Sequence, residues 1–392
     1  ANTTGHSNVA IGYQAFDANT TGYESVAIGM NALGANTTAN SNVAVGVEAL
    51  QSNTTGGSQV AVGKEALRYC TTGAENTAVG LWALKAVTTS SKNSALGYLA
   101  GSSITTGEHN VAIGGQALSA STTGPRNVAV GYHALLGNTT GNNNIGIGVS
   151  TLAATTTTND NTAVGSYALT SNTATGNTAF GSDALRQNTS GNNNLGCGQN
   201  TLKVNTTGAN NTAVGSNALD SNTTGTQSVA IGTNAMAAIT TASNAVAIGY
   251  NAGASATAGN CVLIGSKCAP IATAITGATG IGYEVFQYLT TGDYNTATGQ
   301  QSMNRVTTGG YNTAYGANAL MYTQTANYNT AVGYKVLGGE TITGDSNTGV
   351  GYFALKSITS GAGNVAIGDQ ALTACSTGGT NTAVGFNTLL SL

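Results

Sequence analysis

The sequence predicts an all-β protein: a parallel β-solenoid (a β-roll or β-helix) of about 23 coils with a 17-residue repeat. Three observations carry this. A glycine recurs every 17 residues, at Gly12, Gly29, Gly46, Gly63, Gly80 and onward to Gly385, and only three spacings differ, two of 16 and one of 18. The three residues before each of these glycines alternate large and small, the period of a β-strand. No stretch shows the apolar period of a helix.

Each coil opens on a short strand such as Val9-Ala10-Ile11. Its first residue is almost always β-branched (Val9, Val26, Thr77, Val111, Thr162) and its third is mostly Val, Ile or Leu. Ala or Gly lies between them in every coil but one, where Leu263 stands. Branched residues therefore share one face of the strand and alanines the other. The marker glycine ends the strand. Four residues on comes Leu33, Leu50, Leu67, Leu84 or Leu118, usually preceded by Ala, and this pair is expected on a second short strand facing the first across a thin core. Asn-Thr-Thr-Gly follows, as in Asn53 to Gly56, and reads as the turn into the next coil. The two prolines, Pro125 and Pro270, fall outside the marker strands, where a missing donor does least harm.

Stacking sets like residues above one another at the strand spacing of about 4.8 Å, which implies a body on the order of 110 Å long. The Asn that opens each strand (Asn76, Asn93, Asn110, Asn127, Asn144) is then placed to form an amide ladder. The alanine row is expected to face outward. A bare row of Ala10, Ala27, Ala44, Ala61 and Ala78 suits close approach of another protein surface, so it is the expected self-association face of a three-fold bundle. The rival reading places these alanines at a tight interior corner of a monomer.

Composition narrows the function. Only 6% of residues are charged, against roughly a quarter in typical soluble domains. The net charge is −3 and no basic run exists to neutralise phosphates, which argues against a nucleic-acid partner. No apolar run approaches a membrane span, so membrane insertion is not expected, and no signal peptide is seen. The chain starts inside a repeat without a methionine and is expected to be a segment or processed product of a longer one. Residues 1–392 read as one repetitive domain, irregular around 252–282, where Cys268-Ala269 replaces Ala-Leu. Five cysteines exclude a complete intrachain disulfide set, although Cys261 and Cys268 share a coil.

Chemistry is sparse. His6, His109 and His133 occupy different coil positions, and no His/Cys spacing suits zinc. No calcium-binding glycine-aspartate repeat and no phosphate loop occurs. The acidic residues are dispersed. No enzyme, cofactor or metal is therefore expected. Ten of the 16 tyrosines lie between Tyr250 and Tyr352, and Tyr294, Tyr311 and Tyr328 are 17 apart, so they should stack as an exposed ladder. Such a stripe suits binding of a host-surface glycan or protein, or it simply stabilises neighbouring coils. Sequons recur in register, offering Asn19, Asn36, Asn53, Asn138, Asn188, Asn205 and Asn222 as glycan acceptors.

The segments Ser25-Val26-Ala27-Ile28-Gly29 and Ser228-Val229-Ala230-Ile231-Gly232 resemble the head repeats of trimeric autotransporter adhesins. Those heads are left-handed parallel β-rolls assembled as trimers. The longer form, Asn211-Thr212-Ala213-Val214-Gly215 through Leu219 to Gly225, is similar to repeats of phage-type tail-fibre proteins. The resemblance covers nearly the whole chain, with a repeat longer than that of the adhesin heads. It implies a non-enzymatic, extracellular fibre, at a cell or virion surface, whose partner is itself as a homotrimer. A filament stacking head to tail through uncapped ends is the first alternative, and an ice-binding solenoid the second.

Overall fold

The computed structural model describes residues 2–257 and 259–389. Among these residues there is no helix, and strands of three residues recur at the repeat spacing from β1 (Val9–Ile11) to β23 (Thr382–Val384). The protein is a parallel β-solenoid. Neighbouring strands pair in register, as Val26 with Val43, Ala27 with Ala44 and Ile28 with Val45. The chain forms two compact units, Ala1–Asn193 and Asn194–Leu392. The first holds β1 to β11 (Thr178–Phe180) and the second β12 (Leu195–Cys197) to β23, with the same coil in both.

Each coil has one strand and not two. The Ala-Leu segment is a run of turns in which every second residue has left-handed backbone, such as Glu48 at φ 59° and Leu50 at φ 51°. A strand would send Ala49 and Leu50 to opposite faces. The turn run buries both completely. Left-handed backbone costs an ordinary residue roughly 1–2 kcal/mol, while burying a leucine side chain stabilises by about 2 kcal/mol. The Leu50 N–H also finds a partner, donating to the Ala66 carbonyl one coil on at 3.0 Å. Strain and its compensation thus sit in the same residue.

The marker glycine has two reasons to be glycine. Gly131 adopts φ +131°, where L side chains are disfavoured. A Cβ there would also stand 2.5 Å from the carbonyl oxygen of Gly148 in the next coil.

The strand faces are reversed relative to the expectation. Ala27, Ala44, Ala61 and Ala78 are fully buried and line the core, and their branched neighbours point outward. These alanines cannot form a self-association face. Ala10 is exposed, but it occupies the same inward row, in register with Ala27. The reason is thickness: a coil with one strand opposite a turn run has room for a methyl group against each leucine.

Exceptions follow the same rule. In β17 (Thr279–Ile281) the inward residue is Gly280, and the leucine position holds the larger Phe286. In β16 (Val262–Ile264) the inward residue is Leu263, and the leucine position shrinks to Ala269. Gly253, at the leucine position one coil earlier, adds room, since a Cβ on it would lie 2.9 Å from Leu263 Cδ1. The 252–282 segment therefore keeps the coil and redistributes its volume, with Val262 still paired to Thr279. Ala258 lies outside the described residues.

The strand-opening asparagines form the expected ladder. Asn110 Nδ2 donates to Asn93 Oδ1 at 3.2 Å, and the Asn110 backbone N–H donates to the same oxygen at 3.0 Å. The same Nδ2 also donates to the Gly124 carbonyl at 3.0 Å. The pattern repeats in the second unit, from Asn364 to Asn347 at 3.0 Å. Buried amides are thereby satisfied coil by coil.

Candidate functional site

The outward strand residues form two parallel rows, the first starting Val9, Val26, Val43 and the third-position row starting Ile11, Ile28, Val45. Neither row contains Asp, Glu, Lys or Arg in any coil. Large apolar members are open to solvent: in the first unit Leu96 is 51% and Ile113 39% exposed, and in the second Tyr315, Ile367 and Val384 are exposed. In the first unit a depression of ≈ 180 Å³ is lined by Thr77, Val79, Ser94, Ala95, Leu96 and Ile113. Aromatic residues directly after the marker glycine, such as Tyr98 and Tyr132, extend the apolar surface sideways. The face is uncharged, with hydroxyl residues such as Thr77, Ser94 and Thr162 set among the apolar ones in the first row.

The tyrosine ladder forms. Tyr294 and Tyr311 stack with ring centroids 5.2 Å apart, and Tyr311 and Tyr328 at 5.3 Å. All three are exposed and have left-handed backbone. The faces between neighbouring rings, on which a sugar ring would stack, are already used within the column. The column presents edges.

The sequon asparagines turn inward. Asn19, Asn36, Asn53, Asn138, Asn188, Asn205 and Asn222 are all buried. Asn53 Nδ2, the atom a glycan would occupy, donates to Asn36 Oδ1 at 3.0 Å and to the Gly56 carbonyl at 2.9 Å. Glycosylation at these positions is incompatible with the fold, which uses them as a second amide ladder. The first threonine of the turn is committed too, with Thr54 Oγ1 donating to the Thr71 carbonyl at 3.0 Å.

Charge gathers at one place in the first unit. Glu65, nearly buried, receives Lys85 Nζ at 2.7 Å and Arg68 at 3.0 Å, and Arg68 also reaches Glu48 at 3.2 Å. The network ties three successive coils. The Lys85 ammonium, with Arg68 assisting and against the cost of burial, holds the Glu65 carboxyl down at about 2. No cysteine forms a disulfide among the described residues, and burial pushes the Cys70 and Cys261 thiols up to about 11 and Cys268 to about 12. Such thiols stay protonated and inert. No three His, Cys, Asp or Glu side chains converge to hold a metal ion among the described residues. Among them, too, no helix is long and apolar enough to cross a membrane.

A cavity of ≈ 370 Å³ opens in the second unit beside the single 18-residue interval, Gly333 to Gly351. Its lining includes Gln301, Asn318, Tyr322, Tyr334, Lys335 and Lys356. No family model matches the chain, and no curated protein matches it. The surface itself must carry the functional reading.

Sequence reasoning missed two features. The outward apolar rows were signalled by the absence of charge from two strand positions over every coil. The cavity was signalled only by the long interval, since its lining residues come from four different coils.

Proposed function

We propose that the chain is a non-enzymatic structural and adhesive segment of an extracellular fibre, at a cell or virion surface, that assembles with copies of itself as a three-fold bundle. The observation that carries this reading is the charge-free, outward-facing pair of branched strand rows. A surface of this kind is buried in the working assembly. Its occupant must offer apolar contacts at the strand spacing of about 4.8 Å over many coils. A second copy has that repeat by construction, and an unrelated globular partner does not. The resemblance to trimeric adhesin heads and tail-fibre repeats supports three copies over two.

The corrected face gives a direct test. Ile113→Lys with Ile147→Lys places two ammonium groups on the proposed interface without entering the core, since both side chains are exposed. In sedimentation velocity the wild type should run as the assembly and the variant as smaller species with unchanged β-sheet circular dichroism. An assembly equally stable in both would move the interface elsewhere.

A further inference from the structure

We propose that the cavity at the long coil of the second unit binds an acidic saccharide, with the sugar carboxylate held by Lys335 and Lys356. The site does not depend on the assembly reading. It lies where the chain breaks its own repeat. Thr323 bridges Ile342 of the next coil, yet Thr323 follows Leu320 by three residues and Ile342 follows Leu337 by five. The coil therefore bulges by two residues between Leu337 and Ile342, and Gly338 and Gly339 at the start of that bulge line the cavity. Departures from an otherwise consistent pattern concentrate at functional positions.

The bulge assembles complementary groups. Lys335 and Lys356 both line the cavity, and their Nζ atoms lie 6.0 Å and 4.6 Å from the centroid of the Phe353 ring. Gly339 makes room for this, because a Cβ there would stand 2.8 Å from Lys356 Cγ. The cations in ion pairs among the described residues are Lys64, Arg68, Lys85, Arg186 and Lys267. Lys335 and Lys356 are not among them. An anion in the cavity would give both ammonium groups a partner of opposite charge. Glu340, on the bulge, is exposed and is not a lining residue.

The rest of the lining selects a sugar over a bare anion. Tyr334 stacks on Tyr352 at 5.7 Å and Arg305 lies over Tyr322 at 5.7 Å, so the two tyrosines offer the cavity ring edges and hydroxyls that can pair with sugar hydroxyls. Gln301 spends its Nε2 on Glu284 at 3.0 Å, which leaves its oxygen to accept from a hydroxyl. The Asn318 amide has no hydrogen bond within the protein among the described residues, so it is free to read a second hydroxyl. A few converging polar groups on an aromatic wall are the usual make-up of a small-ligand site.

Titration calorimetry on the whole chain tests this with four probes: a glucuronic-acid-containing oligosaccharide, its neutral glucose counterpart, a sulfated oligosaccharide and inorganic phosphate. The uronate should bind at least tenfold tighter than the other three. Lys335→Gln and Lys356→Gln should each weaken it tenfold or more, and Asn318→Ala several-fold. Lys64→Gln, in the first unit and outside the lining, should leave it unchanged. Phosphate binding as tight as the uronate would reduce the site to a plain anion site, and tighter binding of the sulfated sugar would overturn the carboxylate assignment. Uronate binding absent at millimolar concentration, or indifferent to both lysine variants with melting unchanged, would overturn the proposal.

Discussion

Gly280 and Phe286 face each other across the interior of one coil so closely that a methyl group on Gly280 would stand 2.9 Å from Phe286 Cδ2. Core thickness, and not strand propensity, sets the inward residue. Gly280→Ala should therefore destabilise the second unit by about 1–3 kcal/mol through overpacking. Adding Phe286→Leu relieves the ring contact but leaves Cys268 Sγ, which would stand 2.8 Å from the same methyl group, and should recover part of that loss. Chemical denaturation of the two single variants and the double variant gives the coupling directly, and strict additivity would contradict the account.

Leu118 is fully buried at φ 53°. Truncation to Ala keeps the left-handed strain and opens a cavity, at a cost of about 2–5 kcal/mol. Truncation to Gly opens a similar cavity and removes the strain, worth roughly 1 kcal/mol. Leu118→Gly should therefore be no less stable than Leu118→Ala, the reverse of the order in a strand. Gly101 at φ 59° and Gly253 at φ 57° already occupy this position in other coils. Thermal melts of the two variants decide the order.

The Asn110 side chain holds four hydrogen bonds, two accepted from Asn127 and two donated to Asn93 and Gly124. Asn110→Ala leaves the Gly124 carbonyl and the Asn127 backbone N–H buried without those partners. The expected loss is about 2–3 kcal/mol. Hydrogen exchange should show it as faster exchange confined to the neighbouring coils, because a solenoid couples nearest neighbours.

Glu65 gives a pH dependence of known sign. Its carboxyl is held down at about 2 against an ordinary 4.5, so it contributes stability above pH 4.5 and loses it as pH falls toward 2. Glu65→Gln should melt lower than the wild type at pH 7, and the difference should shrink steadily below pH 4.5. A gap that persists at pH 2 would mean that Glu65 acts through packing and not through charge.

The repeat, the strand positions and the Asn93–Asn110 ladder were legible in the sequence because each is carried by spacing alone. The sidedness of the strand was not. Ala44 between Val43 and Val45 alternates identically whether small or branched residues point inward, and propensity favours the branched face as core. Only the left-handed turn at Leu50, which thins the coil, decides the matter, and nothing in an Ala-Leu pair announces a positive φ. The sequons failed for the same reason: Asn53-Thr54-Thr55 reads as an exposed turn, while its amide points into the coil. Tyr294, Tyr311 and Tyr328 were legible as a column but not as one whose faces are already used. The cavity residues, drawn from four coils, had no sequence signal beyond the long interval.

The mass of the purified chain by light scattering, at micromolar concentration and moderate salt, tests the central claim most directly. The account predicts a species of three times the 38.6 kDa of one chain, because the apolar strand rows are buried against copies. A stable species of 38.6 kDa would contradict it, leaving a monomer that exposes those rows to water.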